Sequence, residues 1–191
     1  SAKKDFAVVH NGIVSNYAVL RDELEREGYK FVSQTDTEVI AHLLEKNYSL
    51  ANDVEEALLR TLHTLQGTYA MAVVSVYEPN KIFCAKMESP LILGIGQRAN
   101  YVGSDFNAFI EHTKKAIVME DGEFAVLTRD SYSVRDIFTR EIKEKTIMEI
   151  EWDMEMSQKG GYPHYMLKEV HEQPHTVINA LNVDGGEIES L

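Results

Sequence analysis

The stretch from Thr68 to Ser104 most limits what this chain can become. Four short runs, Thr68 to Tyr77, Lys81 to Met87, Leu91 to Ile95 and Tyr101 to Ser104, are apolar at odd and even positions alike. A strand with one solvated face alternates, so runs of this kind predict strands covered on both sides. Upstream the period changes to that of a helix. Tyr17, Leu20 and Leu24 share one face, Ser15 or Asn16 can cap the start, and Gly28 suits the stop. Thr35 and Glu38 form a Thr-x-x-Glu capping box ahead of Val39 to Leu44 and predict a second helix. Asp53 with Glu56 opens a third, whose stripe Val54, Ala57, Leu58, Thr61, Leu62 and Leu65 ends at Gly67. Helices at one end followed by consecutive strand pairs predict a layered α+β fold rather than a βαβ sheet.

The flanks are read in the same way. Phe6 to Val9 is a short strand, and Asn11-Gly12 after it is a turn signal. A short helix is expected at Asn107 to His112. Ala116 to Met119 and Glu123 to Leu127 are expected to pair as a hairpin about Asp121-Gly122, and Ser131 to Phe138 adds a strand. Arg140 to Lys159 is rich in charge, Gly160-Gly161-Tyr162-Pro163 reads as a break, and His164 to Leu181 as a helix interrupted or restarted at Pro174.

Composition narrows the class. With 191 residues, 44% hydrophobic and 26% charged, the chain can bury one main core. Nineteen Lys and Arg against 31 Asp and Glu give a net charge of -12 with no basic cluster, so nucleic acid is set aside as a partner. Ala70 to Val74 and Pro90 to Ile95 fall far short of the roughly eighteen apolar residues of a membrane span. One cysteine, Cys84, excludes an intrachain disulfide framework and fits a reducing compartment, with the cytoplasm as the expected location.

Two motifs carry the chemistry: Val8-Val9-His10-Asn11-Gly12-Ile13-Val14-Ser15-Asn16, and Gln34-Thr35-Asp36-Thr37-Glu38-Val39-Ile40. Alone, Asn-Gly after a strand is more often a turn, and an aspartate at a helix start more often meets the positive end of the helix dipole. With LRDELEREGYKFVSQTDTEVIAHL, SPLILGIG and HYMLKEVHEQP beside them, however, almost the whole chain resembles the class II glutamine amidotransferases, which are N-terminal-nucleophile hydrolases. HYMLKEVHEQP is similar to the junction between the two halves of the members that act on fructose 6-phosphate.

The resemblance implies a four-layer αββα fold, here incomplete because its first strands are absent. It implies that 1–150 is the C-terminal portion of the amidotransferase domain and that 151–191 is a linker and the start of a sugar isomerase domain. Asn11, through its side-chain amide, and Gly12, through its N–H, are expected to form an oxyanion hole, while Asp36 binds the α-amino group of the substrate glutamine. Two fixed donors are suited to the charge that develops on a carboxamide oxygen under attack. His10 is expected to shape that turn.

The family's initial Cys-Gly-Ile strand and its Thr-Arg-Trp-Ala-Thr-His segment do not occur in this sequence, so the nucleophile is expected on residues the chain does not contain. Cys84, inside a strand, reads as a buried structural thiol. Ser1, followed by a charged lead, reads as a cloning remnant rather than a nucleophile. The chain by itself is therefore expected to hydrolyse no glutamine and to self-associate through open sheet edges. No metal or organic cofactor is implied, since Pro174 lies between His171 and His175 and no third ligand accompanies them. The implied partners are glutamine, fructose 6-phosphate through the isomerase half, and further copies in a homo-oligomer, with no membrane. The alternatives are an amidotransferase of purine or asparagine metabolism and a non-catalytic glutamine-binding module.

Overall fold

The structure, a computed structural model, describes residues 3–150 and 162–181. Ser1 and most of the expected linker lie outside the described residues. The chain falls into two units, 1–150 and 151–191.

The first unit opens with strand β1 (Phe6–Val14) and helices α1 (Tyr17–Arg26), α2 (Thr37–Ala51) and α3 (Val54–Thr64). Strands β2 (Gly67–Ser75), β3 (Ile82–Met87), β4 (Ile92–Ile95) and β5 (Asn100–Gly103) follow, then a 3-10 turn at Phe106–Ala108. Strands β6 (Lys115–Val118), β7 (Glu123–Leu127), β8 (Tyr132–Asp136) and β9 (Met148–Glu149) complete it. They build two antiparallel sheets, one ordered β1-β2-β3-β7-β8 and the other β5-β4-β6-β9.

The four apolar runs form β2 to β5, and the reason for their two-sided apolar character is plain. In the first sheet Tyr69, Met71, Val73, Phe83 and Phe124 join Leu24, Ile40, Leu44 and Leu58 of the helices in one core. Their neighbours Ala70, Cys84 and Ala125 point the other way and meet Leu93, Ile117 and Met119 between the two sheets. Large side chains thus face the helices and small ones face the second sheet, which lets the sheets pack closely. Each fully buried Phe or Leu contributes about 1.5–3 kcal/mol. The outer face of the second sheet carries Ile92 and Ala116 under Phe109, Ile110 and Ile150. The expected layers appear as helices, sheet, sheet and an outer cover, which among the described residues of this unit is the 3-10 turn and its flanks rather than a helix. β1 and β5 are edge strands whose far sides pair with no strand among the described residues.

Several local expectations are corrected. The first strand does not stop at Asn11-Gly12; it pairs with β2 from Phe6 opposite Ser75 to Val14 opposite Gly67. Gly12 takes φ +131 inside the strand, where a Cβ would lie 2.1 Å from the Thr68 carbonyl oxygen, so glycine serves close approach rather than a turn. Asp121-Gly122 does turn the chain, yet β6 and β7 are no hairpin: β6 pairs with β4 and β7 with β3 and β8, in different sheets. Ile117, Met119, Ala125 and Leu127 all belong to the core between the sheets, so burying both segments means folding one over the other. The expected helix at Asn107 to His112 is reduced to the 3-10 turn, held by Asp105 accepting the Asn107 N–H at 2.8 Å. The third helix starts as read, with Asp53 Oδ1 accepting the Glu56 N–H at 2.7 Å.

In the second unit, helix α4 (Tyr165–Leu181) runs through Pro174 without interruption. Pro174 brings no N–H for the Val170 carbonyl, a loss one exposed helix can tolerate. No helix among the described residues is long and apolar enough to cross a membrane.

Candidate functional site

The candidate residues meet at the free edge of β1. Val76 N–H donates to Asp5 O, and Ser15 N–H donates to Gln66 O, so the odd-numbered residues of this segment bond to β2. Backbone groups alternate along a strand, which turns the N–H groups of His10, Gly12 and Val14 to the open side. The Val14 N–H confirms the parity: it donates outward to Asp36 Oδ2 at 2.8 Å. Asp36 immediately precedes α2, and among the described residues its other oxygen meets the Thr37 hydroxyl alone, at 3.5 Å. One residue on, Thr37 Oγ1 lies 3.2 Å from His10 Nδ1. Two ties therefore stitch the start of α2 to β1 on either side of Gly12.

Asn11 is turned to the opposite face of β1. It lines a cleft of about 200 Å³ with Val9 and Ala72 on the first sheet, Val102 of β5, and Leu91 and Ser104, which flank β4 and β5. Val9 and Ile13, on that same face, are 70% and 68% exposed. Gly67, across from Val14, repeats the close approach of Gly12: at φ +112 a Cβ there would lie 2.2 Å from the Ile13 carbonyl oxygen. The pair of glycines keeps β1 and β2 tight where the site residues stand.

The loop from Tyr29 to Thr35 delivers Asp36. The expected capping box does not form; Glu38 turns away from Thr35, and its carboxylate takes the Val32 N–H at 2.8 Å and the Ser33 N–H at 2.7 Å. Burial pushes the Glu38 carboxyl up, but the Ser33 hydroxyl and these two backbone donors outweigh it and leave it below the usual carboxylate range. Asn16 is likewise no helix cap. Its side chain bridges the Thr64 carbonyl at 2.9 Å and the Gln66 N–H at 3.1 Å, fixing the turn after β1 to the entry of β2.

Cys84 stands apart from this edge, fully buried between the sheets, and burial pushes its thiol up to about 12. Of the residues singled out from sequence, the fold joins Asp36, His10 and Gly12 at one edge and places Asn11 in the adjoining cleft. The roles of Val14, Thr37 and Gly67 carry no sequence signal of their own, because each depends on which strand lies opposite.

The profile of the family described as a glutamine amidotransferase domain matches residues 1–111. Among curated proteins, the chain is 49% identical over 175 residues to a glutamine--fructose-6-phosphate aminotransferase [isomerizing] of Thermococcus kodakarensis, covering 92% of this chain and 29% of that protein. It is 48% identical over 179 residues to the protein of the same name from Aquifex aeolicus, covering 94% of this chain and 30% of that one. The chain thus spans under a third of the length of these relatives. Among solved structures, glutamine phosphoribosylpyrophosphate amidotransferase from B. subtilis, complexed with ADP and GMP, matches with a TM-score of 0.62 and 26% identity, over 74% of this chain and 31% of that one. With the profile matching more than half of its length and the sandwich shared with a solved amidotransferase, the chain belongs to the glutamine amidotransferase family.

Proposed function

We propose that this chain is the C-terminal portion, 1–150, of the glutaminase domain of a glutamine:fructose-6-phosphate amidotransferase, with 151–191 leading into its isomerase domain. The intact protein hydrolyses glutamine to glutamate and ammonia and passes the ammonia to fructose 6-phosphate, giving glucosamine 6-phosphate. It acts in the cytoplasm as a homo-oligomer.

The observation that carries the reading is the Asp36 carboxylate fixed by the Val14 N–H, two residues along β1 from Gly12. One oxygen is spent on the backbone and the other stays available to an ammonium group, which gives a charge-assisted contact. A glutamine anchored there by its α-amino group lays its side chain along the β1 edge. The Gly12 N–H and the Asn11 amide then face the carboxamide oxygen as its carbon is attacked. Each such donor supplies about 3 kcal/mol to the transition state when fixed in place. Cys84 cannot be the attacking thiol, being buried and held neutral. The proposal takes its nucleophile from outside the described residues.

The test is a titration of the isotopically labelled 191-residue chain with L-glutamine, followed by the amide resonances of Gly12 and Val14. Saturable shifts at both, abolished by Asp36→Asn, are the expected result. Amides that stay unmoved at high glutamine would sink the assignment of Asp36.

A further inference from the structure

We infer that Glu38 is a positioning residue for substrate binding: it clamps the 29–36 loop so that Asp36 stays on the β1 edge. The inference rests on the reading of Asp36 given above.

Glu38 lies in the first turn of α2, where a carboxylate is already favoured by the helix dipole and needs no further partner. Both of its oxygens are nevertheless committed to the loop. Oε1 accepts the Val32 N–H at 2.8 Å, and Oε2 accepts the Ser33 N–H at 2.7 Å together with the Ser33 hydroxyl. One turn along α2, His42 is 1% exposed, and its Nε2 lies 3.5 Å from Glu38 Oε1. The His42 ring is packed edge-on by Tyr29 at 5.4 Å and Phe31 at 4.5 Å, both from the same loop. From the other side, Arg21 of α1 donates to the Ser33 carbonyl at 3.0 Å and lies over the Phe31 ring at 4.5 Å.

The loop is therefore gripped at Tyr29, Phe31, Val32 and Ser33 by side chains of two helices. Only Gln34 and Thr35 separate the grip from Asp36. What the grip protects is a single geometry, the 2.8 Å bond from Val14 to one oxygen of Asp36 that leaves the other for the ligand. An anchoring carboxylate displaced by about 1 Å no longer meets an ammonium group at hydrogen-bonding distance, and losing such a charge-assisted contact weakens binding by about tenfold or more. Glu38 touches no substrate in this arrangement; it acts through the loop.

Glu38→Gln keeps the shape and one acceptor oxygen but sets an amide NH2 against a loop N–H. In the same glutamine titration, read at the Val14 amide, this variant is expected to raise Kd by about tenfold or more. Arg21→Met, which frees the Ser33 carbonyl from the α1 side, is expected to raise Kd in the same direction. A purely structural role lowers the urea midpoint without moving the Kd of the folded molecules. Glu38→Gln binding glutamine with parental affinity overturns the inference while leaving Asp36 in place; should that variant fail to fold, parental affinity in Ser33→Ala, which removes the hydroxyl held by Glu38 Oε2, does the same. A parent chain that shows no binding overturns the Asp36 reading and this inference together.

Discussion

Replacing Gly12 by alanine puts a methyl carbon where β2 already stands. The added Cβ would lie 2.1 Å from the Thr68 oxygen, 2.7 Å from the Thr68 carbonyl carbon and 2.9 Å from the Tyr69 Cα, all backbone atoms that cannot swing aside. The backbone at φ +131 is itself outside the range that suits an L side chain. The conformational strain amounts to about 1–3 kcal/mol. Pushing two paired strands apart adds about 1–3 kcal/mol. Gly28 separates the two effects, because at φ +95 it has nothing within 4 Å of a built Cβ, so Gly28→Ala carries the strain alone. Against a total stability of about 5–15 kcal/mol, the sum at Gly12 is a large fraction. Urea unfolding followed by far-ultraviolet circular dichroism should place the Gly12→Ala midpoint below that of Gly28→Ala by about 0.5–1.5 M, for a slope near 2 kcal/mol/M. Equal midpoints for the two variants would refute the close approach of β1 to β2 on which the site geometry depends.

Three further outcomes follow from buried charge and buried sulfur. Lys145 Nζ sits 3.0 Å from a Glu123 carboxylate that is almost wholly enclosed, so Lys145→Met leaves that charge without its cation, the Glu120 N–H at 2.8 Å remaining as a donor, and lowers unfolding free energy by about 3–5 kcal/mol in the same urea assay; a change below about 1 kcal/mol contradicts the pairing. The Cys84 thiol resists alkylation in the folded chain at pH 8 and reacts at once in denaturant, whereas rapid labelling of the native chain would show it is not buried. Burial pushes this thiol from its ordinary value of 9.0 up to about 12. The neutral thiol's stabilising share is thus complete below pH 9 and is lost as pH rises toward 12, a loss that Cys84→Ala should remove.

How far the sequence reveals this site depends on which interactions are local. The two-sided apolar runs of β2 to β5 need no partner to be recognised, since an unbroken apolar pattern already implies two covering layers. Asp53 and Glu56 are three residues apart, and their cap forms as read. Thr35 and Glu38 have the same spacing, but Glu38 finds better donors in Val32 and Ser33, and nothing in the spacing itself distinguishes the two cases. Asn11-Gly12 reads as a turn because positive φ is the usual reason for glycine; the actual reason, the Thr68 carbonyl, lies more than fifty residues away. The same distance hides the contact of Asp36 with Val14, which depends on the odd residues of β1 being taken by β2.

The crossing of the chain between sheets at Asp121 and Gly122 bears on how the molecule can come apart. Lys86 and the Glu88 N–H of the preceding crossing both bind the Asp121 carboxylate, so the two passages are tied to each other. The first sheet draws on 6–14, 67–87 and 123–136, and the second on 92–118 and 148–149. The second sheet is thus spliced into the sequence of the first, and its last strand returns only after the first is complete. Neither sheet is a continuous piece of polypeptide that could peel away and leave the other standing, and the edge of β1 where Asp36 is anchored shares the fate of the whole sandwich.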